Sequence, residues 1–81
     1  MTEKTVMAKS GLEARTAALF VQLASQFASS VQIKINNKVA NGKSIMGLIS
    51  MGISDGQQLT IITDGSDELK AAADLVEFFG Q

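Results

Sequence analysis

Residues Val31-Gln32-Ile33-Lys34-Ile35-Asn36 alternate apolar and polar without a break. A strand with one buried face satisfies that spacing, because successive side chains in a strand point to opposite sides. Asn36-Asn37-Lys38 follows, and asparagine tolerates the positive φ of a tight hairpin. Val39 and Ala40 begin the return strand, which Asn41-Gly42 interrupts. Two further segments read as strands, Thr5 to Lys9, broken by Ser10-Gly11, and Gln58 to Thr63. Each strand shows one apolar face, so helices should cover only one side of an antiparallel sheet.

Three segments outside the strands carry helical spacing. From Ala14 the apolar positions are Ala14, Ala17, Ala18, Val21, Ala24 and Ala28, with Phe20, Leu23 and Phe27 alongside. That is one broad buried face, and the helix should end near Ser29-Ser30. Ser44 opens a short, very apolar helix to about Met51, with Gly52 as its stop and Asp55-Gly56 as a turn. After the turn Asp64-Gly65-Ser66, the last helix places Leu69, Ala72, Ala73, Val76 and Phe79 on its buried stripe. Asp67 and Glu68 fall in its first turn, where the positive helix end favours acids. The order is β-α-β-β-α-β-α.

Eighty-one residues, 1–81, make one domain. The chain has no cysteine, so its fold rests on packing, and an apolar fraction of 46% argues against disorder. Net charge is −1 with no basic stripe, which speaks against direct nucleic-acid binding. No apolar run approaches a membrane span. Met1-Thr2-Glu3-Lys4 is polar and unlike a signal peptide, so the expectation is a soluble cytoplasmic protein. With neither histidine nor cysteine, no metal cluster assembles short of a carboxylate-only site; Asp64, Asp67 and Glu68 are more simply turn and helix-start acids. Gly42-Lys43-Ser44 lacks the upstream glycine spacing of a phosphate-binding loop. No nucleophile–base pair is visible, so the chain does not read as an enzyme.

Two motifs, Gly11-Leu12-Glu13-Ala14-Arg15-Thr16-Ala17-Ala18 and Lys43-Ser44-Ile45-Met46-Gly47-Leu48-Ile49-Ser50-Met51-Gly52, carry a resemblance over essentially the whole chain. Together they resemble HPr, the small phosphocarrier of the bacterial sugar phosphotransferase system. In that family the first motif usually reads Gly-hydrophobic-His-Ala-Arg-Pro-Ala, and the histidine carries the phosphoryl group. Here Glu13 stands at the histidine position and Thr16 at the proline position. The resemblance implies an α+β, open-faced β-sandwich, a four-stranded antiparallel sheet with three helices on one face (βαββαβα). It also implies that Arg15 would contact a phosphate beside position 13.

Glu13 lies at or beside the start of the first helix, whose free N–H groups attract anions. A carboxylate there supplies a fixed negative charge and cannot accept and release a phosphoryl group as imidazole does. An acyl phosphate on Glu13 would need a metal and a partner enzyme suited to it. Serine is a favoured N-cap, so Ser44 has a structural role whatever else it does. The string Asn41-Gly42-Lys43-Ser44-Ile45-Met46-Gly47 resembles the regulatory site of HPr proteins from Gram-positive-type bacteria, where an ATP-dependent kinase phosphorylates the serine. Phosphoserine would add about two negative charges at a helix N-terminus, and Lys43 could pair weakly with it. That signal requires the Ser44 hydroxyl to be reachable from outside.

Leu48 and Met51 can face the sheet together, which leaves Ile45, Met46 and Ile49 as an apolar cluster on the other side. Such clusters mark partner surfaces. By resemblance, this cluster with Ser44 and Arg15 meets an HPr kinase/phosphorylase, a LacI-type catabolite repressor and the phosphotransferase-system enzymes. The favoured reading is a regulatory, non-enzymatic HPr-like protein, modified on Ser44, without cofactor. The alternative is a phosphotransferase-system phosphocarrier or decoy, docking with Glu13 in imitation of phosphohistidine.

Overall fold

The computed structural model describes residues 1–8 and 13–80. The expected strand end at Lys9, its break at Ser10-Gly11 and the Gly11-Leu12 portion of the first motif lie outside the described residues. The elements in chain order are β1 (Thr2–Met7), α1 (Ala14–Ala24), β2 (Ser30–Ile35), β3 (Lys38–Asn41), α2 (Ile45–Met51), β4 (Gln58–Asp64) and α3 (Glu68–Phe78).

Alternation fixes the sheet. Val31, Ile33 and Ile35 of β2 are buried while Gln32 and Lys34 are exposed. Asn36 turns the hairpin at φ 54°, and β3 returns with Ile33 opposite Ala40. On its other side β2 pairs with β4, which sets Ile33 opposite Ile61 and Val31 opposite Thr63. The order is β1-β4-β2-β3, and every pairing is antiparallel. Val6, Leu59 and Ile61 fall on the same side as the buried row of β2. They merge with Ala17, Phe20 and Ala24 of α1, Leu48 of α2 and Leu75 of α3 into one core. The opposite face carries Thr5, Thr60, Gln32 and Lys34, so the helices cover one side only. Thr63 is the one threonine in the buried row. Its hydroxyl donates to the Glu68 carbonyl at 2.9 Å, which removes the penalty of burying it.

Four boundaries or faces differ from the sequence expectation. β1 begins at Thr2 and ends at Met7, earlier than the expected Thr5. Its first half pairs with β4 in register, Thr2 opposite Thr63, and Lys4, opposite Ile61, stays exposed at the sheet edge. α1 stops at Ala24 and does not reach Ser29-Ser30. Gln26 and Phe27 instead make short-range turns, donating to the carbonyls of Leu23 at 3.1 Å and Ala24 at 3.2 Å. The buried face of α1 is Ala17, Phe20 and Ala24, continued by Phe27, while Ala14, Ala18 and Ala28 are exposed. The stripe of α3 is rotated: Ala71, Ala72 and Leu75 are buried, with Phe79 just beyond, while Leu69 is 76% exposed and Ala73 is exposed.

That rotation comes from the acids at the start of α3. Asp67 does not cap its own helix. Its carboxylate accepts the Ala28 and Ser29 amides, both at 2.9 Å, and the Ser29 hydroxyl. Glu68 accepts from the Thr2 hydroxyl, from the Met1 ammonium at 2.9 Å and from the Gly65 amide at 3.2 Å. These bonds favour the ionised acids. The Ser29 hydroxyl is the chief cause holding Asp67 below its usual range, and the Thr2 hydroxyl is the chief cause lowering Glu68 from 4.5 to about 2. Both carboxyls titrate lower when folded than when unfolded, so their support is whole above the unfolded values and is lost as pH falls through the folded ones. Thermal melts should therefore hold level down to about pH 4.5 and fall progressively toward about pH 2, with Glu68→Gln flattening the decline. A melting profile equally steep in Glu68→Gln would count against this assignment.

Candidate functional site

Ser44 caps α2. Its backbone is extended, φ −117° and ψ 115°, and its hydroxyl oxygen accepts the Gly47 amide at 3.1 Å. Its carbonyl already receives the Leu48 amide at 3.1 Å. The preceding residues set this entry angle. Gly42 donates its amide to the Val31 carbonyl at 2.7 Å, and the Asn41 carbonyl accepts the Ser44 amide at 3.1 Å. The Asn41 side-chain oxygen accepts the Lys43 amide at 2.9 Å. Asn41 thus positions Ser44, a role the sequence reading missed, although an asparagine bonding its own backbone two residues on is a recognisable turn device. At the other end of α2, Gly52 at φ 63° stops the helix as expected.

Ser44 is half-buried, and it lines a groove between the edge strand β3 and α2, together with Val39, Ala40, Gly47 and Met51. The hydroxyl is therefore not sealed in the interior. Leu48 is fully buried and Met51 half-buried. Ile45, Met46 and Ile49 are 40%, 74% and 39% exposed. One face of α2 docks on the core and the other presents three apolar side chains beside the cap. Leu19, on the adjoining helix α1, is also exposed and lay outside the sequence-derived patch.

Lys43 reaches away from the solvent. Its ammonium donates to the Phe27 carbonyl at 2.8 Å, across from α2 to the turn after α1. Sequence offers no sign of that bond, which spans sixteen positions and ends on a backbone atom.

The first motif sits at the other candidate position. Glu13 is the N-cap residue of α1, extended at φ −84° and ψ 174°, and its carbonyl accepts the Ala17 amide at 2.7 Å. Its side chain makes no capping bond and is exposed, as is Arg15. Thr16 is half-buried within α1. α1 packs on α2, yet among the described residues no hydrogen bond or ion pair joins Glu13 or Arg15 to Lys43 or Ser44. No group of three acidic side chains among the described residues is arranged to hold a metal. What the arrangement offers chemically is a reachable hydroxyl next to an apolar patch, and a separate helix start with an uncapped acid and an exposed guanidinium.

A family model described as the PTS HPr component phosphorylation site matches residues 2–81. The chain belongs to the HPr family. The HPr-like protein Crh of Halalkalibacterium halodurans is 49% identical over 80 residues, covering 96% of this chain and 95% of that one. A crystal structure of the phosphocarrier protein HPr from Bacillus anthracis superposes with a TM-score of 0.91 at 43% identity, over 95% of this chain and 94% of that one. The catabolite repression protein Crh of Bacillus subtilis, solved as a swapped-domain dimer, gives a TM-score of 0.82 at 46% identity, over 89% of this chain and 83% of that one. The open-faced HPr architecture expected from the two motifs is thus the architecture present. No helix among the described residues is long and apolar enough to cross a membrane.

Proposed function

We propose that this chain is a regulatory HPr-like protein of carbon catabolite repression, lacking the phosphocarrier histidine and controlled by phosphorylation of Ser44. The observation that carries this reading is a reachable Ser44 hydroxyl beside the exposed Ile45, Met46 and Ile49, in a chain with no histidine. Its likeness to the Crh proteins supports the same reading. An HPr kinase/phosphorylase would transfer the γ-phosphoryl group of ATP to the Ser44 oxygen, with ADP leaving and the hydroxyl proton passing to the enzyme or solvent. The modified oxygen would stay at the start of α2, where negative charge is tolerated, so the signal is surface charge on a helix that hardly moves. The apolar patch with that charge would then engage a LacI-type repressor in the cytoplasm, with Arg15 as a second polar contact.

The test is direct. Incubation with an HPr kinase and ATP should raise the intact mass by one phosphate, and Ser44→Ala should abolish the gain. Met46→Asp should leave the mass gain in place while weakening repressor binding by tenfold or more, since a charge is then buried without a partner. No mass gain in the parent chain would sink the proposal.

A second reading rests on the exposed, uncapped Glu13. Its fixed charge would imitate phosphohistidine and let the chain occupy the phosphotransferase-system enzymes as a decoy. Binding to the phosphohistidine-donating enzyme that weakens in Glu13→Ala, without any mass gain at Ser44, would favour it.

A further inference from the structure

The turn after α1 is held from two sides. The Phe27 carbonyl accepts the Lys43 ammonium at 2.8 Å. One and two residues later, the Ala28 and Ser29 amides and the Ser29 hydroxyl all bind the Asp67 carboxylate. Residues 27–29 therefore bridge the start of α2 to the start of α3. Ser29 is fully buried, so any displacement of this turn is felt inside the molecule.

The two clamps differ in kind. Asp67 is a charged acceptor with three donors. Lys43 is a charged donor on a neutral carbonyl, and it is the immediate neighbour of Ser44. A phosphoryl group on Ser44 would place a dianion beside that ammonium, within the sweep of its four-carbon stem. The bond to the carbonyl is charge-assisted on the donor side only, whereas a phosphate offers the same ammonium a charge-assisted bond together with the direct attraction of opposite charges. The carbonyl would lose the competition. It can turn to water without leaving a buried polar group unpaired, because the Phe27 bond is only partly buried.

We propose that Lys43 is a relay. When Ser44 carries a phosphoryl group, the Lys43 ammonium leaves the Phe27 carbonyl for the phosphate, and of the two charged side chains that clamp the 27–29 turn Asp67 remains. Modification at α2 thereby loosens the junction between α1 and α3 while leaving α2 in place. This rests on Ser44 being the modified residue.

The experiment installs phosphoserine at position 44 by genetic encoding, so that it does not depend on any kinase accepting the chain. The Phe27 carbonyl ¹³C shift and the exchange rates of the Ala28 and Ser29 amides are then followed by NMR. The expected result is a displaced Phe27 carbonyl resonance and exchange at residues 28 and 29 faster by about tenfold, the scale of one lost charge-assisted bond. Lys43→Met without phosphate should show the same loosening, and adding the phosphate to that variant should change nothing further. Lys43→Ala, which also removes the donor, serves if the methionine variant folds poorly. An unchanged Phe27 resonance with unchanged protection in the phosphorylated chain would overturn the proposal. So would a phosphate effect of equal size in the Lys43 variants.

Discussion

Phe20→Ala is expected to cost about 3–5 kcal/mol of folding stability. Phe20 comes from the middle of α1 and is fully buried. Its ring lies 5.3 Å from that of Phe78, nearly perpendicular at 79°, and 5.6 Å from that of Phe79. Phe78 and Phe79 meet each other at 5.6 Å and 84°. Edge-to-face pairs add about 0.5–1.5 kcal/mol beyond the area they bury. Alanine removes Phe20 from one edge-to-face pair, with Phe78, and from the tilted contact with Phe79, and leaves a void between α1 and the end of α3. A chain of 81 residues has a total stability of roughly 4–12 kcal/mol, so this single truncation takes a large share of it. Urea unfolding with an unchanged slope and a much lower midpoint is the expected readout. A loss under about 1 kcal/mol would mean that the ring cluster does not hold these helices together.

Gly65→Ala should be nearly as damaging, by a different route. Gly65 lies between β4 and α3 at φ 155°, in a region that side chains avoid. A Cβ there would fall 2.6 Å from the Ser29 Cα and 2.7 Å from its hydroxyl oxygen. Ser29 cannot retreat, because its amide and hydroxyl are both bound to Asp67. Backbone strain of about 1–3 kcal/mol adds to an overpacking cost of about 1–3 kcal/mol. The measurable result is a melting temperature lower by ten degrees or more, by the usual scaling of about 4–8 °C per kcal/mol in a domain of this size. Loss of the protected Ser29 amide should accompany it. An unchanged melting temperature would show that the Ser29–Asp67 clamp is softer than its geometry implies.

These two residues also show what could be read from the chain and what could not. The hairpin was legible, since Val31, Ile33 and Ile35 alternate with polar neighbours and Asn36 accepts positive φ. The Ser44 cap was legible for the same reason: it is settled within four residues. The phase of α3 was not. Apolar residues stand at 69, 71, 72, 73, 75, 76, 78 and 79, so several stripes fit the spacing equally well. Tertiary bonds decide between them, namely Asp67 to Ser29 and the ring of Phe79 against Phe20. The early end of α1 has the same origin, because the amides of Ala28 and Ser29 are taken by a carboxylate thirty-nine and thirty-eight residues away. Around the candidate site, the exposed apolar trio was foreseeable from an overfull short helix. The bond from Lys43 to the Phe27 carbonyl was not, since no side-chain pattern reports on a backbone oxygen.

The strand order has a consequence for the chain as it is made. β4 comes last in sequence among the four strands of the sheet and lies between β1 and β2. Until residues 58–64 have emerged from the ribosome, β1 has no neighbour at all and β2 has only its hairpin partner. Sheet closure therefore waits for residues 58–64, and the strand pair that joins residue 2 to residue 63 must close a long loop first. A growing chain interrupted before that point exposes the apolar side of β2 to its surroundings, which makes incomplete translation products of this protein natural clients for chaperones and proteases.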